Sequence, residues 1–199
     1  MVRERRGSMF SSKQQLRTRV LDERDGFSEE FIKEVSEKIA EKLQKLPIWE
    51  ESQKVHIYLP IPSKNEIDTR QLIGWLLNSE DELWTSYLSN NESEDGFCKI
   101  TKKTRYKAGR YDTLLPSGKV MKTIQPDVII VPCVAADMQG IRLGYGLGWY
   151  DRFLAKQPKA LKIGLVYDQL LFDQIPSEAH DQKLDVIVSE ERIIHTKRI

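Results

Sequence analysis

The segment PDVIIVPCVAADMQGIRLGYGLGWYDRFLAK, residues 126–156, is the most informative part of the chain for its fold. Its first part, residues 126–137, is an apolar run typical of a strand that is buried on both faces in a parallel sheet. A glycine-rich loop follows, with Gly144, Gly146 and Gly148 at every second position, and a helical pattern begins at Trp149. Open α/β sheets bind ligands where a strand passes through a loop into a helix. The segment therefore predicts both an α/β fold and the place of a site.

Helical and strand patterns alternate on both sides of this segment. Ser11 or Ser12 precedes a predicted helix that reaches about Arg24, and Ser28 precedes a second one that ends before Pro47. A third helix is predicted from Asp68 or Thr69, an irregular region at 111–119, and strands at 55–59, 82–88, 96–101, 162–168 and 184–190. The alternation predicts an α/β fold with a mainly parallel sheet.

Composition excludes several classes of protein. Thirty-one basic and thirty acidic side chains give a formal charge of +1, so no global field favours nucleic acid. No apolar run approaches the length of a membrane span, and we expect no membrane partner. Cys98 and Cys133 fall in predicted strands, which favours a reducing, cytoplasmic location. The charged residues 1–10 are not followed by an apolar stretch, so we expect a flexible arm there and not a secretory signal.

The glycine loop predicts a phosphate site. Glycines allow backbone N–H groups to approach a ligand, the following helix would add free N–H groups, and Arg142 and Arg152 flank the loop with positive charge. The Rossmann pattern would need glycine where Trp149 stands, and the lysine of a Walker A loop is absent. The alternative is a tight strand-to-helix turn in which the glycines only relieve backbone strain.

A carboxylate beside a phosphate site predicts a metal ion. Asp151 would repel phosphate unless Mg²⁺ lay between them, and Asp181 is the second candidate ligand, with Asp185 as runner-up. The alternative for Asp151 is stabilisation of the helix N-terminus by its charge. A lone histidine such as His180 is more often a structural hydrogen-bonding group than an acid or base.

Four segments resemble the 5-formyltetrahydrofolate cyclo-ligase family, also called methenyltetrahydrofolate synthetases. Residues 131–154, VPCVAADMQGIRLGYGLGWYDRFL, are similar to its signature segment. The family's other landmarks resemble, in the same order, KQQLRTRV at 13–20, NEIDT at 65–69 and PSEAHDQKLDVIVSE at 176–190. The resemblance implies a single three-layer α/β/α domain over residues 11–199. It also implies conversion of 5-formyltetrahydrofolate to 5,10-methenyltetrahydrofolate, with Mg-ATP consumed and ADP and phosphate released.

The resemblance also implies roles for individual residues. Lys13 and Arg17 would contact ATP phosphates from one helix face, whereas without the resemblance a solvated surface is the favoured interpretation. Asp151 and Asp181 would bind Mg²⁺, and Glu66 would bind the folate. The ATP loop would comprise Arg142, Leu143, Gly144, Tyr145, Gly146, Leu147, Gly148, Trp149 and Tyr150. Of these, Arg142 and Tyr150 are the catalytic candidates, and Leu59, Trp149 and Tyr150 are candidates for the folate pocket.

The loop departs from the family pattern. Some members carry basic residues where this chain has Tyr145 and Leu147, and a tyrosine at Trp149, so the loop is less positive here. This leaves open an alternative function, a catalytically impaired nucleotide- or folate-binding protein. Isomerases and CoA transferases on similar folds are a further alternative. We expect a monomer that acts on small molecules.

Overall fold

The computed structural model describes residues 12–196, so the predicted arm at 1–10 lies outside the described residues. The helices are α1 (Lys13–Asp25), α2 (Glu29–Gln44), α3 (Arg70–Leu76) and α4 (Trp149–Ala155). The strands are β1 (Lys54–His56), β2 (Glu82–Tyr87), β3 (Gly96–Lys99), β4 (Tyr106–Ala108), β5 (Leu114–Pro116), β6 (Val120–Met121), β7 (Val128–Pro132), β8 (Ala135–Asp137), β9 (Arg142–Leu143), β10 (Leu161–Leu165), β11 (Leu171–Phe172), β12 (Val186–Val188) and β13 (Ile193–His195).

An eight-stranded sheet forms the centre, in the order β13-β12-β10-β7-β1-β2-β3-β6. The five strands from β12 to β2 are parallel, and β13, β3 and β6 are antiparallel additions at the edges. The predicted α/β fold with a mainly parallel sheet is confirmed. Strands β7 and β12 are buried on both faces, as expected from their continuous apolar sequences.

The connections of the sheet change direction between β1 and β7. From β1 the chain passes through α3 to β2 on one side, and from β7 it passes through α4 to β10 on the other. Because such crossovers are right-handed, α3 and α4 lie on opposite faces of the sheet, which makes three layers. The carboxyl ends of β1 and β7 therefore border a crevice of the kind that holds ligands in open sheets.

The helix starts follow the sequence. The side chains of Ser12 and Ser28 accept hydrogen bonds from Gln15 and Phe31, and so cap α1 and α2. On α1 the buried positions are Leu16, Val20 and Arg24, spaced four residues apart along one face. No helix within residues 12–196 has the length and apolar character needed to cross a membrane.

The apolar run at 126–137 is two strands, where the sequence predicted one. The first, β7, ends at Pro132, and β8 belongs to a separate three-stranded sheet in the order β11-β8-β9. Proline has no N–H to donate, and beyond it the backbone turns so that Val134 N donates to Leu143 O at 2.8 Å. The glycine loop therefore follows the short strand β9 and not β7 itself.

The region predicted as irregular at 111–119 contains part of a hairpin. Strands β4 and β5 pair antiparallel, and Tyr111 and Asp112 in their connection have φ angles of 59° and 61°. Positive φ angles are predicted from glycine, asparagine or aspartate, and a tyrosine at such an angle is not. The sequence therefore did not indicate this turn. Strand β13 was also missed, because three residues at a sheet edge show little periodicity.

Candidate active site

A cavity of about 630 Å³ opens at the carboxyl ends of β1 and β7. Tyr58, just after β1, and Pro132, at the end of β7, both line it. The residues to which the family resemblance assigned roles also line it: Lys13, Arg17, Leu59, Glu66, Arg142, Leu143, Gly144, Tyr145, Gly146, Leu147, Gly148, Trp149, Tyr150, Asp151 and Asp181. The structure thus brings together segments that are more than 160 residues apart in the chain.

Asp185, the runner-up for the metal, does not line the cavity. It precedes β12, and its Oδ2 accepts a hydrogen bond of 2.9 Å from the backbone N–H of Lys162. The carboxylate is used to join β12 to β10. The structure therefore contradicts Asp185 as a metal candidate at this site.

Arg17 holds the glycine loop from α1. Its Nε donates to Gly144 O at 2.8 Å, and its Nη1 donates to Gln14 Oε1 at 2.8 Å. Gly146 has a φ of 95°, and a Cβ added there would lie 3.3 Å from Arg17 Cζ. Gly146 is thus needed both for the backbone conformation and for the close approach of the guanidinium. Helix α4 has only seven residues. The loop backbone and the neighbouring cations therefore contribute more to this part of the cavity than the N-terminus of α4 does.

Arg142 is a buried cation beneath the loop. Its side chain is paired with Asp151, with 3.0 Å between Nη2 and Oδ2, and its guanidinium carbon lies 5.6 Å from the Tyr150 ring centroid. A Cβ at position 144 would lie 2.5 Å from Arg142 Nη1, so Gly144 makes room for this side chain. The Nε of Arg142 is buried and has no partner among the described residues. A buried donor of this kind fits an anion-binding site.

Lys13 and Asp181 form a second pair. Lys13 Nζ donates to Asp181 Oδ1 and lies 3.9 Å from Glu178 Oε2, while Asp181 Oδ2 accepts from Glu178 N at 2.7 Å. One ligand atom each of Glu178, His180 and Asp181 lies within 4.8 Å of the others, close enough to share a cation. Asp181 thus lies beside a second carboxylate, the ligand type that Mg²⁺ prefers, and the sequence had not indicated Glu178.

Glu66 also lines the cavity and is buried, with 7% of its surface exposed. Its Oε1 accepts from the Tyr145 hydroxyl at 2.9 Å and its Oε2 from the backbone N–H of Ile61 at 2.7 Å. Burial raises the pKa of Glu66, while the hydrogen bond from Ile61, the charge of Arg24 and the Tyr145 hydroxyl oppose that rise. A hydrogen bond between the glycine loop and this carboxylate was not evident from the sequence.

An aromatic cluster adjoins the cavity, and its members Trp149 and Tyr150 line it. Trp149, Tyr150 and Phe153 pack around His56, whose Nε2 lies 3.0 Å from Ser86 Oγ. Complete burial lowers the pKa of His56 to about 3, so the imidazole is neutral near pH 7. Burial also raises the pKa of Tyr150, and the nearby Ser86 only partly opposes that rise, so the phenol stays protonated.

Further residues near the cavity were not predicted from the sequence. Arg24 is 1% exposed, donates from Nη2 to Lys64 O at 2.6 Å, and supports the segment that carries Glu66. Its position eight residues after Leu16 on the apolar face of α1 was a usable signal. Tyr111 and Leu114 line the rim and are exposed, and the unpredicted hairpin places them there.

These features define an open-sheet α/β protein with a cavity at the carboxyl ends of its strands, which is lined by cationic side chains and by a buried carboxylate. The model of the 5-formyltetrahydrofolate cyclo-ligase family matches residues 9–190. The chain belongs to this family, as the sequence resemblance implied.

Relatives of known name agree with this assignment. The chain is 26% identical to the probable 5-formyltetrahydrofolate cyclo-ligase of Schizosaccharomyces pombe, over 94% of this chain and 98% of that one. The structure of Aquifex aeolicus 5,10-methenyltetrahydrofolate synthetase is 34% identical, with a TM-score of 0.81, and the match covers 94% of this chain and 93% of that one. The Mycoplasma pneumoniae synthetase, 22% identical with a TM-score of 0.68 over 90% and 99% of the two chains, shares the fold.

Proposed function

We propose that this protein converts 5-formyltetrahydrofolate to 5,10-methenyltetrahydrofolate, with ATP consumed and ADP and phosphate released. The observation that carries the proposal is the single cavity that joins Lys13, Arg17 and the glycine loop to the buried Glu66. An anion such as a triphosphate suits the cationic end, and a heterocycle with N–H donors suits the carboxylate. One cavity would therefore hold both reactants in contact.

The chemistry requires activation of an amide oxygen. The formyl oxygen attacks the γ-phosphorus of ATP, ADP leaves, and an iminium phosphate forms at N5. N10 then adds to the formyl carbon and loses its proton, and phosphate departs to leave the methenyl bridge. No protein nucleophile is needed, and neither thiol is suited to be one. Burial raises the pKa of Cys133 to about 12 and raises that of Cys98.

The phosphate end of the cavity would work by exchange of partners. In the structure Lys13 is paired with Asp181 and Arg142 with Asp151. On binding Mg-ATP the cations, with Arg17, would turn to phosphate oxygens and the two aspartates would hold the metal. Bound Mg²⁺ would neutralise phosphate charge, and carboxylate donors are those it prefers. The site would therefore keep its charges compensated in both states, which lowers the cost of burying them.

The buried end would receive the folate. Glu66 has unused lone pairs beyond those that accept from Tyr145 and Ile61, and these would accept pterin N–H groups. Leu59, Trp149 and Tyr150 would supply apolar contact. Arg142 and Tyr150, which lie side by side, would contact the phosphoryl group as it transfers.

We also propose that residues 11–199 act as a single cyclo-ligase domain, as a cytoplasmic monomer. Support for a reducing compartment comes from Cys98 and Cys133, which are both buried as free thiols. Size-exclusion chromatography with light scattering tests the monomer, and fractionation of the source cells tests the compartment. A plant relative is named as mitochondrial, so the compartment varies in the family.

The activity is tested with the purified chain, Mg-ATP and 5-formyltetrahydrofolate. The expected result is a rise in near-ultraviolet absorbance from the methenyl product, with one ADP formed per product. ATP binding without any product would overturn the proposal and favour an impaired nucleotide-binding protein. Omitting either ATP or the folate provides the control.

A further inference from the structure

We propose that Tyr145 is a positioning residue that fixes Glu66 for the folate, and that it has this role instead of contacting phosphate from the ATP loop. The inference deepens the proposed function and rests on it. It is carried by the direction of the side chain. Tyr145 lies between two glycines of the proposed phosphate loop, yet its hydroxyl donates a hydrogen bond to the buried carboxylate of Glu66.

The backbone on which Tyr145 stands is held firmly. The carbonyl of Gly144 belongs to the same planar peptide group as the Tyr145 N–H, and Arg17 Nε donates to that carbonyl at 2.8 Å. A residue whose preceding peptide is fixed and whose hydroxyl is bonded has little freedom left. The aromatic ring therefore acts as a rigid spacer between the loop and Glu66.

Glu66 is fixed from two directions. The Ile61 N–H binds one oxygen and Tyr145 binds the other, so rotation of the carboxylate would break a hydrogen bond in either sense. Because the group is buried, a lost donor would not be replaced by bulk water. The ionisable groups that act on it are Arg24 on α1, Tyr145 on the loop, Tyr58 after β1, Tyr150 on α4 and Tyr167 after β10. Burial raises the pKa of all four phenols, so Arg24 is the charged member of the group.

Removal of the hydroxyl alone separates positioning from packing. Tyr145→Phe keeps the ring and removes the donor to Glu66. Because Tyr145→Phe removes a hydrogen bond to a charged group, we expect it to weaken folate binding on the order of ten- to a hundredfold. The KM for ATP should stay the same, because the loop backbone and Arg17 are unchanged. The acid limb of the pH profile for folate kcat/KM should move to higher pH, because the carboxylate loses a partner that favours its charged form.

The experiment compares wild type, Tyr145→Phe and the matched control Tyr106→Phe. Tyr106 is an exposed tyrosine on β4 that does not line the cavity. The dissociation constant of 5-formyltetrahydrofolate is measured without ATP by calorimetry, and both KM values and the pH profile by methenyl absorbance. Thermal melting checks that each variant is folded. Weaker folate binding in Tyr145→Phe only, with the shifted acid limb, is the expected result.

The failures of the two proposals are distinguishable. If wild type binds the folate but gives no product, the proposed function fails, and the binding comparison still tests Tyr145. If wild type turns over and Tyr145→Phe matches it in folate affinity and pH profile, the positioning role is wrong. A defect confined to the KM for ATP would also overturn it, because Tyr145 would then be a phosphate contact.

Discussion

Arg142 and Asp151 form an ion pair under the glycine loop, with 3.0 Å between Nη2 and Oδ2. Asp151 also accepts from the backbone N–H of Gln182 at 3.4 Å, so its carboxylate joins α4 to the segment that carries Asp181. The Arg142 side chain is almost fully buried and keeps one donor without a partner among residues 12–196. The pair thus keeps one guanidinium donor that could bind an anion, and the Asp151 carboxylate keeps lone pairs that could bind a cation.

The first prediction concerns the metal. Asp151→Asn should raise the magnesium concentration needed for half-maximal activity by about tenfold or more, because even partners of metal ligands change affinity on that scale. The activity is measured against magnesium at saturating ATP and folate. Asp22→Asn, an exposed residue of α1 outside the cavity, is the control. Unchanged turnover at limiting magnesium would show that Asp151 is not a ligand.

The second prediction concerns Arg17. Arg17→Ala should raise the KM for ATP about tenfold or more, because it removes a charged donor and also frees the Gly144 carbonyl that fixes the loop. Steady-state kinetics with each substrate varied in turn measure the effect. Arg19→Ala, on the same helix and outside the cavity, should leave the KM for ATP unchanged. A selective loss of folate affinity in Arg17→Ala would instead assign this side chain to the other substrate.

The sequence predicted the elements with strong local signals. Serine caps located α1 and α2, apolar runs located the parallel strands, and spaced glycines located the loop. Lys13, Arg17, Glu66 and Asp181 were proposed from the family resemblance and not from these local signals, and the fold brings all four to one cavity. The pairing of β8 with β9 and β11 could not be predicted from local signals, because it depends on contacts between distant parts of the chain.

The direction of individual side chains was likewise beyond the sequence. Tyr145 has the same spacing in the loop as Leu147, yet it reaches Glu66 while Leu147 is exposed. Nothing in the local pattern distinguishes the two, because their orientations follow from a φ of 95° at the intervening Gly146. Similarly, the sequence left Asp185 as an alternative to Asp181, and the fold places only Asp181 at the cavity.

The third prediction concerns the glycines. Gly146→Ala should lower the free energy of unfolding by about 1 to 2 kcal/mol, because its positive φ disfavours a Cβ and Arg17 lies close to the added carbon. Gly74→Ala is the matched control, since this helical glycine has open space around it. That substitution should raise stability by about 0.5 to 1 kcal/mol. Urea unfolding measures both, and equal effects of the two substitutions would contradict the role of Gly146.

The last prediction concerns the buried imidazole of His56. Its pKa falls from 6.5 to about 3 on burial. Between these values the unfolded chain binds a proton that the folded chain does not, so His56 makes stability fall as the pH falls. One proton corresponds to about 1.4 kcal/mol of unfolding free energy per pH unit.

The measurement compares urea unfolding of wild type and His56→Gln across about pH 5 to 6, where this proton uptake is close to one. The raised pKa of Glu66 acts in the opposite sense, because stability from a carboxyl with a raised pKa is lost as the pH rises. Glu66 is present in both proteins, so the difference between their slopes isolates His56. The slope of the unfolding free energy against pH should be lower in His56→Gln than in wild type, by the equivalent of about one proton, whatever the absolute stability of the variant. Parallel slopes would mean that His56 is already charged, or is reached by water, in the folded protein.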